Sequence, residues 1–520
     1  MNLDAALTSS SASAGAWWLA VGLGLVYPLG LAPFDYFPIT LVSMAGLFLL
    51  LWRQPQRAVG LAYVFGVGKY ALGVSWIFVS VHYYGNTSAA LAGMLVFGFV
   101  LFMALFCLPI GLFMRWAKPT SPQWPLWQAG LIFSASWLLM EWALTWFLTG
   151  FPWLYAGYAL LDTPMQVVAP ILGVFGVSLA ALLTALGIAA LLVQQSWRRR
   201  FAVLAFIGVG WAVAWLGAMH TWVAPGDRFT VALVQGNLDQ AVKWHADKLS
   251  ANVEKHIRLS EEHWDADVLI WPEAALTLYG GAAQQAVARL HARAQATMTN
   301  VVVGMPLVEV TPGSGAYQVY NSARGMGEAS GSFAKHHLVP FGDYLPMQEW
   351  LRGLVNFFAI PQSAAARGSA EQANISLRLP GASSGQEITE MAMGICYEIA
   401  YGDSIRLRAA DAGVLATISN DTWFGSSIGP HQHLQIARMR ALENGRWMLR
   451  ATNNGVTAIV DANGQVTAQL PQFQAGVLRG EFQVMHGATP FARWGNSPVL
   501  ALVALLLVGA LGRRAFGRHL

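Results

Sequence analysis

A chain of 520 residues that is 55% hydrophobic and only 11% charged, with 22 Trp and 26 Phe, is too apolar for an ordinary soluble protein. Its net charge of +4 is unevenly spread: residues 220–493 carry 20 Lys+Arg and 23 Asp+Glu, and the remainder carries 11 and 4. Basic residues gathered beside apolar blocks orient membrane spans, so nucleic acid is excluded as a first reading. Two cysteines, Cys107 in an apolar run and Cys396 in a polar one, exclude a disulfide framework.

In chain order, seven apolar blocks come first, at 14–32, 37–52, 58–80, 89–114, 126–147, 165–193 and 201–220, and an eighth lies at 495–512. A helix needs roughly 20 apolar residues to cross a bilayer; the second block, between Asp35 and Arg53, is the shortest. No Lys or Arg precedes the first block, which reads as a retained span rather than a cleaved signal. Arg53 and Arg57, then Arg115 and Lys118, then Arg198, Arg199 and Arg200, and finally Arg513, Arg514 and Arg518 fall on alternate connections. The connections around Asp35, from His82 to Ser88 and from Thr149 to Thr163 hold neither Lys nor Arg. The positive-inside bias then predicts cytoplasmic termini and an extracytoplasmic insert. The expected organisation is a polytopic α-helical bundle of about eight spans, with residues 1–220 holding the first seven, 221–493 forming an α/β domain, and 494–520 the last span and tail.

Within the insert, strands are predicted at 229–236, 267–272, 300–305, 333–338, 390–396 and 413–419, with helices at 246–264, 282–297 and 431–444. A hairpin pairs 456–461 with 466–470 around Asn463-Gly464. Strands separated by helices and mixed with hairpins imply an α/β sandwich. The run from Ser363 to Ser384, rich in Ala, Gly and Ser, reads as a mobile loop. Just before it, Trp350 to Ile360 is densely apolar. Trp350, Leu354, Phe357 and Phe358 are expected to form a membrane-facing lid, because Trp and Phe suit the bilayer interface. The competing reading is a buried core helix, since Leu351, Leu354, Val355 and Phe358 are spaced like one helical face.

Three apolar runs end in reactive groups: Val268 to Trp271 leads to Glu273, a second run ends near Lys335, and Met391 to Ile395 delivers Cys396. A carboxylate, an ammonium and a thiol at strand ends suffice for acyl transfer. The thiol, with an ordinary pKa of roughly 8.5, needs a base, and the tetrahedral oxyanion needs a positive donor. The bland alternatives are a turn glutamate, a solvated lysine and a small core cysteine. A free cysteine in an oxidising compartment weighs against the last of these.

The segments Trp271-Pro-Glu-Ala, Lys335-His-His-Leu-Val-Pro-Phe-Gly-Asp-Tyr-Leu-Pro346 and Gly394-Ile-Cys-Tyr-Glu398 resemble the Glu, Lys and Cys motifs of the nitrilase, or carbon-nitrogen hydrolase, superfamily. With the eight blocks, Leu31-Ala-Pro-Phe-Asp35 and Gly150-Phe-Pro-Trp153, nearly the whole chain resembles the apolipoprotein N-acyltransferase family. Val234-Gln-Gly-Asn237, Tyr320-Asn-Ser322, Asn420-Asp-Thr-Trp-Phe-Gly425 and Arg438-Met-Arg-Ala-Leu-Glu443 match as well. The resemblance implies an αββα nitrilase-like sandwich with Glu273 as base, Lys335 as oxyanion stabiliser and Cys396 as nucleophile. It implies supporting or substrate-binding roles for Trp244, Asn321, Asp343, Tyr397, Glu398 and Trp423, with Asp343 standing where the family often has Glu. No cofactor is implied. The implied donor is a glycerophospholipid, typically phosphatidylethanolamine, and the implied acceptor is the amine of a diacylglyceryl-modified lipoprotein. The implied setting is a bacterial inner membrane with the catalytic domain in the periplasm.

Other patterns carry less. Gly425-Ser-Ser-Ile-Gly429 fits the serine elbow pattern but does not directly follow a strand. His431 and His433 lie two apart on a predicted helix and cannot face together, so no metal is expected. Lys69 and Glu141 lie within spans, marking a polar pathway or headgroup site or else snorkelling or pairing inside the bundle. Cys107 reads as packing. Two rival functions remain: a tethered amidase or nitrilase using water, and a transporter or receptor whose outer domain binds ligand.

Overall fold

In this computed structural model, the described residues are 10–119, 124–217, 220–278, 280–310, 317–340, 342–344, 365–380 and 387–516. The expected lid residues Trp350, Leu354, Phe357 and Phe358 lie outside them. The chain divides into two compact units. One comprises Met1–Phe78, Ser88–Thr221 and Trp494–Leu520, and the other comprises Val79–Thr87 and Trp222–Arg493.

The first unit is a helical membrane bundle. Three of its helices are long and apolar enough to cross a bilayer, Ala89–Ala117, Pro164–Val193 and Trp197–Gly217. Ala58–Gly73 makes a fourth if it counts as one broken span with Ile77–Tyr84, most of which belongs to the second unit, and Ala14–Gly30, Phe37–Arg53 and Ser497–Ala510 are shorter apolar helices. Lys69 and Glu141 are fully buried in the bundle interior rather than snorkelling. The Lys69 ammonium lies 4.8, 5.4 and 5.3 Å from the ring centres of Tyr27, Tyr70 and Trp137. This aromatic box replaces part of its lost hydration. Glu141 Oε1 accepts hydrogen bonds from Trp137 Nε1 at 2.9 Å and the Ala156 N–H at 2.8 Å. Cys107 is buried, its thiol 3.7 Å from Met140 Sδ.

The second unit is built on two six-stranded sheets. The first contains β1 (Ala224–Gln235), β2 (Val268–Ile270), β3 (Asn300–Val310), β4 (Tyr317–Gly327) and β5 (Ser332–Ala334), with a late strand, β12 (Gly476–His486), on the far side of β1. The second contains β6 (Ile375–Leu379), β7 (Glu387–Ile395), β8 (Val414–Ser419), β9 (Met448–Thr452), β10 (Ala458–Val460) and β11 (Val466–Gln469), neighbours in chain order. Because side chains alternate along a strand, each central strand feeds two cores. Val231, Leu233, Val268, Ile270 and Val302 meet Met391, Met393, Ile395, Val414, Ile418 and Leu449 between the sheets. Their neighbours Ala232, Val234, Leu269, Trp271, Val301 and Val303 face the other way. They bury α1 (Leu249–Ser260) through Val253 and Ile257, and α2 (Gly280–Thr297) through Leu290 and Ala294. Two further helices, α3 (Gly402–Ala409) and α4 (Gly429–Asn444), pack against β7 and β9. Burial on both faces explains why these strands read as short continuous apolar runs.

Two sequence expectations change. The strand predicted at 333–338 ends at Ala334, because the N–H groups of His336 and His337 turn away from β4 and bond the Glu398 carboxylate. The run read as a mobile loop contains β6, paired antiparallel with β7 from Ile375↔Met391 to Leu379↔Glu387. Its Ile375, Leu377 and Leu379 alternate into the core, a period-two pattern hidden within an Ala/Gly/Ser-rich stretch. The hairpin around Asn463-Gly464 forms as β10 and β11.

Candidate active site

The two sheets deliver their polar groups at strand ends. β2 lies parallel between β1 and β3, and the chain leaves it through Trp271-Pro272 into a tight turn carrying Glu273, with Ala274 at φ 49°. β3 passes so close to this turn that a Cβ at Gly304 would strike the Pro272 carbonyl and the Glu273 backbone. From the other sheet, β7 ends at Ile395, and Cys396 opens a 3₁₀ turn over Cys396–Ala400. Its φ of 54° is uncommon for a residue with a side chain. Lys335 follows β5 and Asn420 follows β8.

These ends converge on one carboxylate. Glu273 Oε1 accepts from Asn321 Nδ2 at 2.6 Å and lies 3.5 Å from Lys335 Nζ. Glu273 Oε2 accepts the Asn420 backbone N–H at 2.8 Å. Lys335 is 1% exposed and pairs more tightly with Asp343 Oδ2, at 2.8 Å. The shorter side chain of Asp343 therefore still reaches the lysine, while Oδ2 also accepts the Val339 N–H at 2.8 Å. A third buried carboxylate braces the frame. Glu398 Oε1 accepts the N–H groups of His336 (2.8 Å) and His337 (3.0 Å), and Oε2 accepts that of Ile395 (2.9 Å). Glu398 thereby ties the turn after Lys335 to the residue before Cys396. Its side chain is fully buried.

Charge follows from these contacts. Burial works against the Lys335 ammonium, but Asp343, Glu273 and Cys396 outweigh it and raise its pKa above the ordinary lysine value. Burial pushes the Cys396 thiol up, Glu273 adds to the effect, and Lys335 and Ser419 pull against it, leaving it pushed up to about 12. The resting sulfur is therefore a thiol, and its activation requires a base as the acyl group arrives.

A second buried lysine, Lys243, donates to the Glu273 carbonyl at 3.2 Å. Burial lowers it to about 8 against the pull of Glu273. It belongs beside the expected Trp244 but was not singled out from sequence, and neither was Asn420, although its motif closes a predicted strand. Among the other expected residues, Trp244 lies 6.0 Å from the Lys243 ammonium, and Tyr397 is bonded to the Tyr401 side chain. Trp423 offers its carbonyl to Ser80 Oγ at 2.7 Å, and its ring meets Tyr84 at 5.8 Å. The serine elbow is absent: Ser427 sits in a turn whose N–H bonds the Phe424 carbonyl, beyond the 3₁₀ turn Asp421–Phe424. Among the described residues no group of three or more His, Cys, Asp or Glu is placed to hold a metal.

A buried carboxylate and ammonium with a half-buried thiol at adjoining strand ends define a cysteine-dependent enzyme of the carbon-nitrogen hydrolase type, and the profile of that family matches residues 230–490. The apolipoprotein N-acyltransferase N-terminal domain matches residues 23–187. The apolipoprotein N-acyltransferase of Pseudomonas syringae pv. tomato is 42% identical over 498 residues, covering 94% of this chain and 95% of its own. The enzymes of that name from Azotobacter vinelandii and Vibrio parahaemolyticus are 43% identical (95% of each chain) and 35% identical (94% and 95%). The chain belongs to the apolipoprotein N-acyltransferase family. Among solved structures, Saccharomyces cerevisiae Nit3, of branch 10 of the nitrilase superfamily, aligns over 51% of this chain and 92% of its own, with 17% identity and a TM-score of 0.34. An amidase from Nesterenkonia sp. aligns over 54% and 97%, with 19% identity and a TM-score of 0.33.

Proposed function

We propose that the protein is a multi-pass enzyme of a bacterial inner membrane that moves a fatty acyl chain from a phospholipid, through a thioester on Cys396, to the N-terminal amine of diacylglyceryl-cysteine in lipoproteins. The observation that carries the reading is the contact set around Glu273, which gathers Lys335, Asn321 and Asn420 beside the Cys396 thiol. The donor is phosphatidylethanolamine. The αββα sandwich of residues 221–493 is the catalytic domain and faces the periplasm. Residues 1–220 supply seven spans and 494–520 the eighth, with both termini cytoplasmic.

In the first half-reaction Glu273 takes the thiol proton as sulfur attacks the ester carbonyl. The oxyanion forms against the Lys335 ammonium, whose charge Asp343 maintains. Collapse breaks the C–O bond, and the departing alkoxide of the lysophospholipid recovers the proton from Glu273. In the second, the lipopeptide amine attacks the thioester, Glu273 accepts its proton, and as the C–S bond breaks Glu273 passes that proton to the departing sulfur, restoring the thiol and the carboxylate. An acyl-enzyme that outlives its first product suits a site serving two amphiphiles in succession.

The test is incubation of the purified protein with acyl-labelled phosphatidylethanolamine, with and without a diacylglyceryl lipopeptide. A hydroxylamine-labile label should accumulate without amine, move to the lipopeptide when it is added, persist in Cys107→Ala and vanish in Cys396→Ala. Release of free fatty acid with no transfer would identify a tethered hydrolase instead. Binding without any labelling would identify a receptor or transporter.

A further inference from the structure

We propose that His433, backed by Asp421 and Arg450, sets the direction of the peptide group following the nucleophile and so aims the Tyr397 N–H at the oxygen of the reacting acyl group; this rests on Cys396 being the acylated residue. His433 was set aside above as an unsuitable metal ligand. In the structure it is 1% exposed on α4, and its Nε2 lies 3.1 Å from the Cys396 carbonyl oxygen. A carbonyl only accepts, so Nε2 carries a hydrogen and donates it. The ring's other nitrogen, Nδ1, lies 3.0 Å from Asp421 Oδ1 and 3.1 Å from Arg450 Nη2.

The support behind the ring is itself fastened. Arg450 Nη2 donates to Asp421 Oδ2 at 2.6 Å, and Ser419 Oγ donates to Asp421 Oδ1 at 2.6 Å. Burial would raise the Asp421 carboxyl, but Arg450 and His433 overcome it and hold the group below the usual carboxylate range. A Cβ at Gly455 would strike the same carboxylate, so the backbone closes the remaining side. Asp421 follows β8, Arg450 lies on β9 and His433 on α4, so three elements fix the imidazole.

The left-handed backbone of Cys396 is strained and persists only when its surroundings impose it. A trans peptide is planar, with its carbonyl and following N–H on opposite edges. Holding the Cys396 oxygen on one side therefore turns the Tyr397 N–H to the other. The N–H after a nucleophile on a sharp strand-to-helix turn is well placed to meet a developing oxyanion. His433 touches no reacting atom; it is a positioning residue.

The test compares His433→Asn with His433→Gln in the full-length protein. The Asn amide reaches only the Nδ1 position, keeping the Asp421 side, whereas the Gln amide reaches the Nε2 position and can donate to the Cys396 carbonyl. Thioester formation from phosphatidylethanolamine should slow roughly 10- to 100-fold in His433→Asn with KM unchanged, and His433→Gln should recover most of the loss. Alkylation of Cys396 by iodoacetamide develops no oxyanion and should proceed at the wild-type rate in both. Wild-type acylation in His433→Asn, no recovery in His433→Gln, or parallel slowing of alkylation and acylation would each overturn the proposal. A label persisting in Cys396→Ala would instead remove the reading beneath it.

Discussion

Lys335 is buried beyond the reach of water, and its charge depends chiefly on Asp343 at 2.8 Å, with Glu273 farther off at 3.5 Å. Asp343→Asn leaves burial unopposed by its nearest anion, so the lysine pKa should fall. Acylation should drop roughly 10- to 100-fold, and the alkaline limb of its pH profile should move to lower pH. An unmoved limb would mean that another group keeps the ammonium charged. Glu398 poses a different demand, since it accepts three backbone N–H groups. Glu398→Gln turns one accepting atom into a donor facing a donor, and should cost about 1–3 kcal/mol in a denaturation experiment. Glu273, Lys335 and Cys396 were legible because each closes an apolar run. His433 and Asn420 were not, because the His433 ring meets the Cys396 carbonyl, 37 residues away, and the Asn420 N–H meets the Glu273 carboxylate, 147 residues away. No local pattern encodes such pairings.

At the scale of elements, α1 carries a strongly buried histidine. His256 Nδ1 bonds the Asn252 carbonyl at 2.8 Å, the ring lies against Trp271 with centres 5.2 Å apart, and burial lowers its pKa to about 4. The unfolded chain takes up this proton near pH 6.5 and the folded chain only near pH 4. Between these values the unfolded state holds more protons, so stability falls as pH falls, by about 3 kcal/mol across the window. The thermal midpoint of His256→Gln should be visibly flatter between pH 6.5 and 4; an equally steep decline would assign the acid sensitivity elsewhere. The helix itself was readable from its periodicity. β12 was not: its alternation is broken by the neighbouring buried Val484 and Met485, and its partner β1 lies some 250 residues earlier, as in the pair Phe229↔Phe482. β6 was missed because five residues between Ala- and Ser-rich stretches offer too short a period to count.

For the whole molecule, the proposed orientation predicts that tags at either terminus resist external protease while trypsin cuts at the exposed Arg367. Cleavage at the tags would reverse it. The second unit is also discontinuous, since it includes Val79–Thr87 from between two helices of the bundle. Removing the Ser80 hydroxyl and the Tyr84 ring should take about 2 kcal/mol of order from the Trp423 loop. Amide exchange at Thr422 to Gly425 should then quicken roughly 30-fold in the Ser80→Ala, Tyr84→Ala double variant. Exchange at the wild-type rate would show that the loop holds itself. This arrangement also sets a timetable for biogenesis. Ser80 bonds a residue 343 positions downstream, and at roughly 5–20 residues per second a ribosome needs about 20 to 70 seconds to deliver that partner. For that interval the newborn segment exists without the surface it completes, and any nascent chain that stops before Trp423 never supplies it.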